Sequence, residues 1–174
     1  MDGLLRDLST ILNHVPDEKT DGFIAAIDGA KRVFVYGLGR SGLVARMFGM
    51  RLVHLERSAT VVGETTTPAI CEDDLLVLCS RTGRSPMLHH AVSLAHRERA
   101  RVAALVGLAR TPLDEDVDIL VRLPLERAGA ETIQPMGSLF EQALHLYLDM
   151  VVLRLMQKWG KTAETMQKIH FNLP

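Results

Sequence analysis

Apolar residues at the start of the chain recur at the spacing of helices. Leucine and isoleucine repeat at helical intervals in residues 4–12, and a second apolar set spans residues 23–27. Pro16 lies between the two sets, where a helix is expected to break. We therefore predict two N-terminal helices that separate near Pro16.

Five short apolar runs follow, and their composition is that of strands. Runs of this kind, bounded by polar residues or glycine, are typical of strands buried on both faces. Helical patterns over residues 40–56 and 85–99 lie between several of them. This alternation predicts an α/β fold, a three-layer sandwich around a five-stranded parallel sheet. The predicted strands are residues 32–36, 60–62, 75–79, 102–106 and 119–123.

The end of the chain is predicted to be helical after one loop. Residues 123–135 contain prolines and a glycine, so we expect irregular structure there. Residues 137–158, rich in Leu, Met and Val, predict a long helix. Thr162 with Thr165 is expected to open a final short helix.

Length and composition fit a single domain. The 174 residues are 47% hydrophobic, which supplies a core but leaves little room for a second module. We therefore expect one domain, residues 1–174. Its predicted parts are N-terminal helices (1–30), the sheet with its crossover helices (31–135) and C-terminal helices (136–174).

Charge and cysteine content narrow the function classes. Twenty basic and 21 acidic residues give a net charge of -1, so no global field favours nucleic acid or a membrane surface. No apolar run approaches the roughly 20 residues of a membrane helix. The chain start does not resemble a signal peptide, and Cys71 and Cys79 are too few for a disulfide framework. These features predict a cytoplasmic protein with reduced thiols.

One glycine-rich loop follows the first predicted strand and opens a helix. Residues 37–42 read G-L-G-R-S-G, which matches the G-x-G-x-x-G pattern of dinucleotide-binding proteins. Glu64, after the second predicted strand, is near the place where such proteins hold a ribose hydroxyl. A small NAD-binding protein is therefore one hypothesis.

A second polar loop follows the third predicted strand. Residues 80–85 read S-R-T-G-R-S, and their hydroxyls, backbone N–H groups and arginines are suited to binding a phosphate. The alternative interpretation is that these residues only cap the next helix. Since ligands of parallel sheets bind at the carboxyl ends of strands, two such loops favour a phosphorylated ligand. The candidate phosphate-binding residues are Gly39, Arg40, Ser41, Ser80, Arg81, Thr82, Gly83 and Ser85.

These two loops, and the order of apolar runs around them, resemble the SIS, or sugar isomerase, domain family. Residues 50–55 (M-R-L-V-H-L), 62–70 (V-G-E-T-T-T-P-A-I) and 137–142 (G-S-L-F-E-Q) are similar to the 6-phospho-3-hexuloisomerases of that family. The resemblance extends from about residue 32 to the C-terminus. It implies a flavodoxin-like SIS fold and a homotetramer with sites shared between subunits.

The resemblance also implies a reaction, the interconversion of arabino-hex-3-ulose 6-phosphate and fructose 6-phosphate in the ribulose monophosphate route of formaldehyde fixation. A phosphorylated ketohexose is then the partner. Moving the ketone requires a proton to leave C2 and another to return at C3 through an enediol. An acid/base pair is sufficient, so we expect no metal and no other cofactor.

Three residues are candidates for the acid/base work. Glu141, near the start of the long helix, is the first candidate for the base, with a helix-dipole role as its alternative. His170 is the second, for ring opening or proton shuttling, and is expected to come from a neighbouring subunit. Glu64 is the third. Arg51, with His54, is expected to reach the site or an interface, with surface pairing equally open.

Two features depart from the resembled family. Arg81 and Arg84 stand in a loop that usually reads Ser-Gly-Ser-Gly, and the tail at residues 169–174 keeps its His, Asn and Leu but not the flanking charges. A non-catalytic sugar-phosphate sensor is therefore a further hypothesis. The histidines after the loop, His89, His90 and His96, are interpreted as surface residues.

Overall fold

A sheet of five parallel strands forms the centre of the protein, and the computed structural model describes residues 2–128, 134–170 and 172. The strands are β1 (Val33–Gly37), β2 (Ala59–Val61), β3 (Leu75–Ser80), β4 (Arg101–Val106) and β5 (Ile119–Arg122). The helices are α1 (Asp2–Asn13), α2 (Asp17–Gly29), α3 (Gly39–His54), α4 (Pro86–Arg97), α5 (Ser138–Lys158) and α6 (Ala163–Ile169). The predicted α/β class, with five parallel strands, is confirmed.

The strand order is β2-β1-β3-β4-β5, so the direction of winding reverses between β1 and β3. Gly37 at the end of β1 pairs with Cys79 near the end of β3. The loops that leave these two strands therefore start side by side. In an open parallel sheet this reversal is where ligands bind, outside the carboxyl ends of the strands.

Alternate residues of β3 pack into two different cores. Leu75, Val77 and Cys79 belong to the cluster covered by α1, α2, α3 and α5. Leu76 and Leu78 belong to the cluster covered by α4. Because side chains of a strand alternate between its faces, this apolar run buries both faces and makes β3 a central strand.

The segment predicted as a loop, residues 123–135, is only partly irregular. A short 3-10 helix spans Leu125–Ala128, and a second one, Pro135–Gly137, leads into α5. Proline suits the first position of such a turn because its φ is already fixed. Residues 129–133 of this predicted loop lie outside the described residues.

The C-terminal helix α6 begins as predicted. Thr162 accepts a hydrogen bond from the Thr165 N–H, and the Thr165 hydroxyl accepts one from the Thr162 N–H. This reciprocal capping fixes the start of the helix. The helix ends at Ile169 and leaves His170 at its C-cap.

Candidate active site

The glycines of the G-x-G-x-x-G loop permit close packing at the reversal point of the sheet. A Cβ on Gly42 would lie 2.4 Å from the Gly37 carbonyl oxygen, and one on Gly37 would lie 2.8 Å from the Cys79 carbonyl oxygen. Gly39 adopts a φ of +54°, which favours glycine. Because no side chains intervene, the first turn of α3 sits directly on the ends of β1 and β3.

Arg40 in that first turn forms an ion pair with Glu141 in the first turn of α5. The Arg40 Nε lies 2.8 Å from the Glu141 carboxylate, and Nη2 donates to the Met136 carbonyl oxygen at 2.6 Å. The Arg40 side chain is 49% exposed and that of Glu141 19% exposed. The pair lies on an open cavity of about 190 Å³ whose lining residues are Leu38, Arg40, Ser41, Arg81, Met136, Gly137, Phe140 and Glu141.

Arg81 reaches this cavity through a slot between two glycines. A Cβ on Gly107 would lie 3.1 Å from the Arg81 Cγ, and one on Gly137 would lie 2.9 Å from its Nε. The Gly107 N–H donates to the Arg81 carbonyl oxygen at 3.0 Å. In the described part of the chain the Arg81 guanidinium has no ion pair. With two guanidiniums and one carboxylate, the charged lining of the cavity favours an anion.

The loop of residues 80–85 is shaped by Gly83. Its N–H donates to the Ser80 Oγ at 3.1 Å, and its φ is +62°. Ser85 occupies the N-cap position of α4, yet its side chain forms no cap hydrogen bond. Among residues 2–128, 134–170 and 172, the Thr82 and Ser85 hydroxyls have no hydrogen-bond partner. Helix capping therefore does not account for these hydroxyls.

His170 and Arg51 lie on a different cavity. The rings of His54 and His170 have centroids 5.2 Å apart, and the Arg51 Nη2 lies 3.4 Å from the Asp149 Oδ1. Burial, with the nearby His170 and Arg51, holds the pKa of His54 below its usual value. This cavity, about 420 Å³, is between α3, α5 and α6. The structure therefore does not bring His170 to Glu141 within one chain; Phe171, Leu173 and Pro174 of the tail lie outside the described residues.

Glu64 lies in the loop after β2, as its position in the sequence indicated. Its carboxylate pairs with Arg46 on α3, and its side chain is 46% exposed. Glu64 does not line the cavity that holds Glu141. The two candidate carboxylates thus have different arginine partners on the same helix.

The sequence interpretation missed one contact to the loop of residues 80–85. His89, interpreted as a surface residue, is half-buried and its Nε2 lies 2.9 Å from the Gly83 carbonyl oxygen. His90 is exposed, as expected. No sequence signal separates these two adjacent histidines, because only the packing of α4 decides which one faces the loop.

Over residues 2–128, 134–170 and 172, no three His, Cys, Asp or Glu side chains cluster in a way that would hold a metal ion. Within the same residues, no helix has the length and apolar character needed to cross a membrane. Both cysteines are free thiols, and burial raises the pKa of Cys79 to about 12.

Comparison with known proteins identifies the family. The family model described as "SIS domain" matches residues 26–146. The chain belongs to the SIS domain family. This SIS domain is 37% identical to a Bacillus subtilis (strain 168) protein named 3-hexulose-6-phosphate isomerase, over 98% of this chain and 95% of that relative. It is 33% identical to a protein of the same name from Methylomonas aminofaciens, over 95% and 93% of the two chains.

A solved structure is also similar to this SIS domain, in sequence and in fold, over nearly its whole length. A hypothetical protein from Methanococcus jannaschii, whose structure was taken to infer a molecular function of 3-hexulose-6-phosphate isomerase, superimposes with a TM-score of 0.88. The two are 34% identical, and the match covers 99% of this chain and 98% of that one. The predicted resemblance to SIS isomerases is confirmed.

Proposed function

We propose that this SIS domain interconverts arabino-hex-3-ulose 6-phosphate and fructose 6-phosphate. The observation that carries the proposal is the Arg40–Glu141 pair on a net-positive cavity at the reversal point of the sheet. The names of the relatives, 3-hexulose-6-phosphate isomerase, support the same substrate. These names favour an isomerase over the two other hypotheses, a small NAD-binding protein and a non-catalytic sugar-phosphate sensor.

The phosphate of the substrate is proposed to bind between the two loops. Arg81 supplies charge, and Ser41, Thr82 and Ser85 supply hydroxyls. Gly39 keeps the backbone of the first loop accessible, and Gly83, with its positive φ, shapes the second. Ser80 has a second role, because its Oγ already accepts the Gly83 N–H and so shapes the loop. The N-terminal ends of α3 and α4 add backbone donors suited to an anion.

Glu141 is proposed to remove the C2 proton. Its carboxylate is held by Arg40, so its position is fixed before the substrate arrives. As the proton leaves, negative charge develops on the ketone oxygen, and the Arg40 guanidinium is close enough to the carboxylate to stabilise that enediolate. Glu141 then returns a proton at C3 while the O2 hydroxyl proton passes to O3, so a ketone forms at C2 and a hydroxyl at C3 without a change in oxidation state of the whole sugar. Glu64 is kept as the alternative base.

His170 and Arg51 are proposed to act across a subunit interface. Large apolar side chains on α3 and α5 are exposed in the single chain, as expected of an interface between copies. A homotetramer in which a neighbouring subunit brings His170 to Glu141 fits both that face and the separation of the two residues. The exposed side chains are Leu43, Met47, Met50, Val53, Leu146, Met150 and Leu153.

The proposal also covers the domain organisation, the pathway and the cellular location of the protein. We infer a single SIS domain over residues 1–174 and a place in the ribulose monophosphate route of formaldehyde fixation. Free thiols at Cys71 and Cys79 fit a reducing, cytoplasmic location.

Deuterium exchange tests the reaction and its base together. Fructose 6-phosphate incubated with the protein in deuterated water should gain deuterium at carbon, measured by NMR. Glu141→Gln should lower that rate by about 10²- to 10⁴-fold. Glu64→Gln is the matched control, because it also removes an ion pair with an α3 arginine. Tight binding with no exchange in the wild type would favour the sensor, and loss only in Glu64→Gln would transfer the role of base to Glu64.

A further inference from the structure

The loop of residues 80–85 is held from outside by one histidine of α4. The His89 Nε2 lies 2.9 Å from the Gly83 carbonyl oxygen. The Nδ1 of the same ring lies 3.3 Å from the Asp116 Oδ2. A carbonyl oxygen only accepts, so the ring donates from Nε2 to Gly83. The Asp116 carboxylate also only accepts, and the ring donates to it from Nδ1 when both of its nitrogens carry a proton.

Gly83 is confined on its other sides as well. A Cβ at this position would lie 3.1 Å from Leu113 and 3.2 Å from Thr111, so the residue packs closely on the segment after β4. Its N–H donates to Ser80, and its φ is positive. The His89 bond therefore completes the set of contacts that fix the Gly83 backbone.

Fixing the Gly83 carbonyl also fixes the next backbone N–H. The Gly83 C=O and the Arg84 N–H belong to one planar peptide unit, and the peptide bonds of the described residues are trans. The Arg84 N–H therefore points away from the oxygen that His89 binds. Across residues 2–128, 134–170 and 172, this N–H has no hydrogen-bond partner.

We propose that His89 is a positioning residue for phosphate binding, which holds the Gly83 carbonyl so that the Arg84 N–H donates to the substrate phosphate. The inference rests on the proposed function, since it assigns one more group to the same site. His89 itself does not touch the substrate. Its effect should fall on the binding of the phosphorylated sugar and not on the proton transfer at Glu141.

A second histidine of α4 provides a matched control. The His96 Nε2 lies 3.3 Å from the Asp118 Oδ2, the same separation as in the His89–Asp116 pair. Both pairs join α4 to the segment that precedes β5. His96, however, forms no hydrogen bond with the loop of residues 80–85. His96→Ala removes a comparable pair without releasing Gly83.

Steady-state kinetics with fructose 6-phosphate separate the two roles. His89→Ala should raise KM about 3- to 10-fold, as expected for one lost hydrogen bond. Its kcat should stay within about twofold of the wild type. His89→Gln, which keeps an N–H donor, should restore part of the loss, and His96→Ala should match the wild type. An unchanged KM in His89→Ala, or an equal rise in His96→Ala, would overturn the proposal.

Hydrogen exchange reports on the loop without turnover. The Gly83 amide should exchange faster in His89→Ala than in the wild type or His96→Ala, because its bond to Ser80 is no longer supported. Calorimetric binding of fructose 6-phosphate gives the affinity even if the protein does not isomerise it. Failure of the isomerase proposal therefore shows as absent turnover, whereas failure of the positioning proposal shows as unchanged exchange and affinity in His89→Ala.

Discussion

Arg40 and Glu141 are 101 positions apart in the chain, yet the Arg40 Nε lies 2.8 Å from the Glu141 carboxylate. Each residue lies in the first turn of its helix, so one ion pair joins the N-terminal ends of α3 and α5. A carboxylate is favoured at such an end by the helix dipole and a guanidinium is not. The placement of Arg40 is therefore better explained by the partner it holds than by the stability of its own helix.

Arg40→Lys should lower kcat for fructose 6-phosphate isomerisation by about 10²-fold, since a lysine loses the directed donors that hold the carboxylate and face the enediolate. The measurement is the initial rate at saturating substrate. Arg46→Lys is the matched control: Arg46 lies on the same helix, is equally exposed and pairs with Glu64. Equal losses in both variants would mean that Arg40 acts only through the helix.

Thr82→Val should weaken binding of fructose 6-phosphate by about 1.5 to 3 kcal/mol, the cost of one hydrogen bond to a charged group. The affinity for unphosphorylated fructose should not change, because the hydroxyl is assigned to the phosphate. Isothermal calorimetry with both sugars makes the comparison. Ser93→Ala is the control, since the Ser93 hydroxyl bonds only to the His89 carbonyl within its own helix. Equal weakening for both sugars would contradict the assignment.

Gly137→Ala should displace Arg81 and weaken fructose 6-phosphate binding about 10-fold or more, as expected for loss of a charge-assisted bond. The new Cβ would lie 2.9 Å from the Arg81 Nε, and the φ of +82° adds strain. Gly160→Ala separates the two effects, because Gly160 has a φ of +61° with open space around it. Both variants should lose stability in thermal melts, but only Gly137→Ala should lose affinity.

The fold was predictable because each buried strand is encoded locally by an apolar run bounded by polar residues or glycine. The two loops of the site were predictable for the same reason, as they start where those runs end. The Arg40–Glu141 pair, the slot for Arg81 and the contact of His89 with Gly83 were not. Each of these contacts joins residues that are far apart in the chain and meet only after folding. The sequence pattern around a charged residue or a glycine does not indicate which distant residue it will contact.

Tyr147 provides a test of core stability that is independent of the site. Its side chain is fully buried on α5, and its hydroxyl donates to the Thr20 Oγ1 at 3.1 Å. Burial is the main cause that raises the pKa of Tyr147 to about 12, from an unfolded value of about 10. A raised folded pKa means that the stability is complete below pH 10 and decreases as pH rises towards 12.

The free energy of unfolding should therefore fall between pH 10 and 12 by up to about 3 kcal/mol from this residue, at about 1.4 kcal/mol per unit of pKa. Tyr147→Phe should lose about 1 kcal/mol at pH 8, because Thr20 loses its partner, but should be less sensitive to alkali. Urea unfolding at pH 8, 10 and 11 measures both effects. The buried Cys79 thiol also titrates late, but it is present in both proteins, so their difference isolates Tyr147. Parallel losses in the two proteins above pH 10 would show that Tyr147 ionises as readily folded as unfolded.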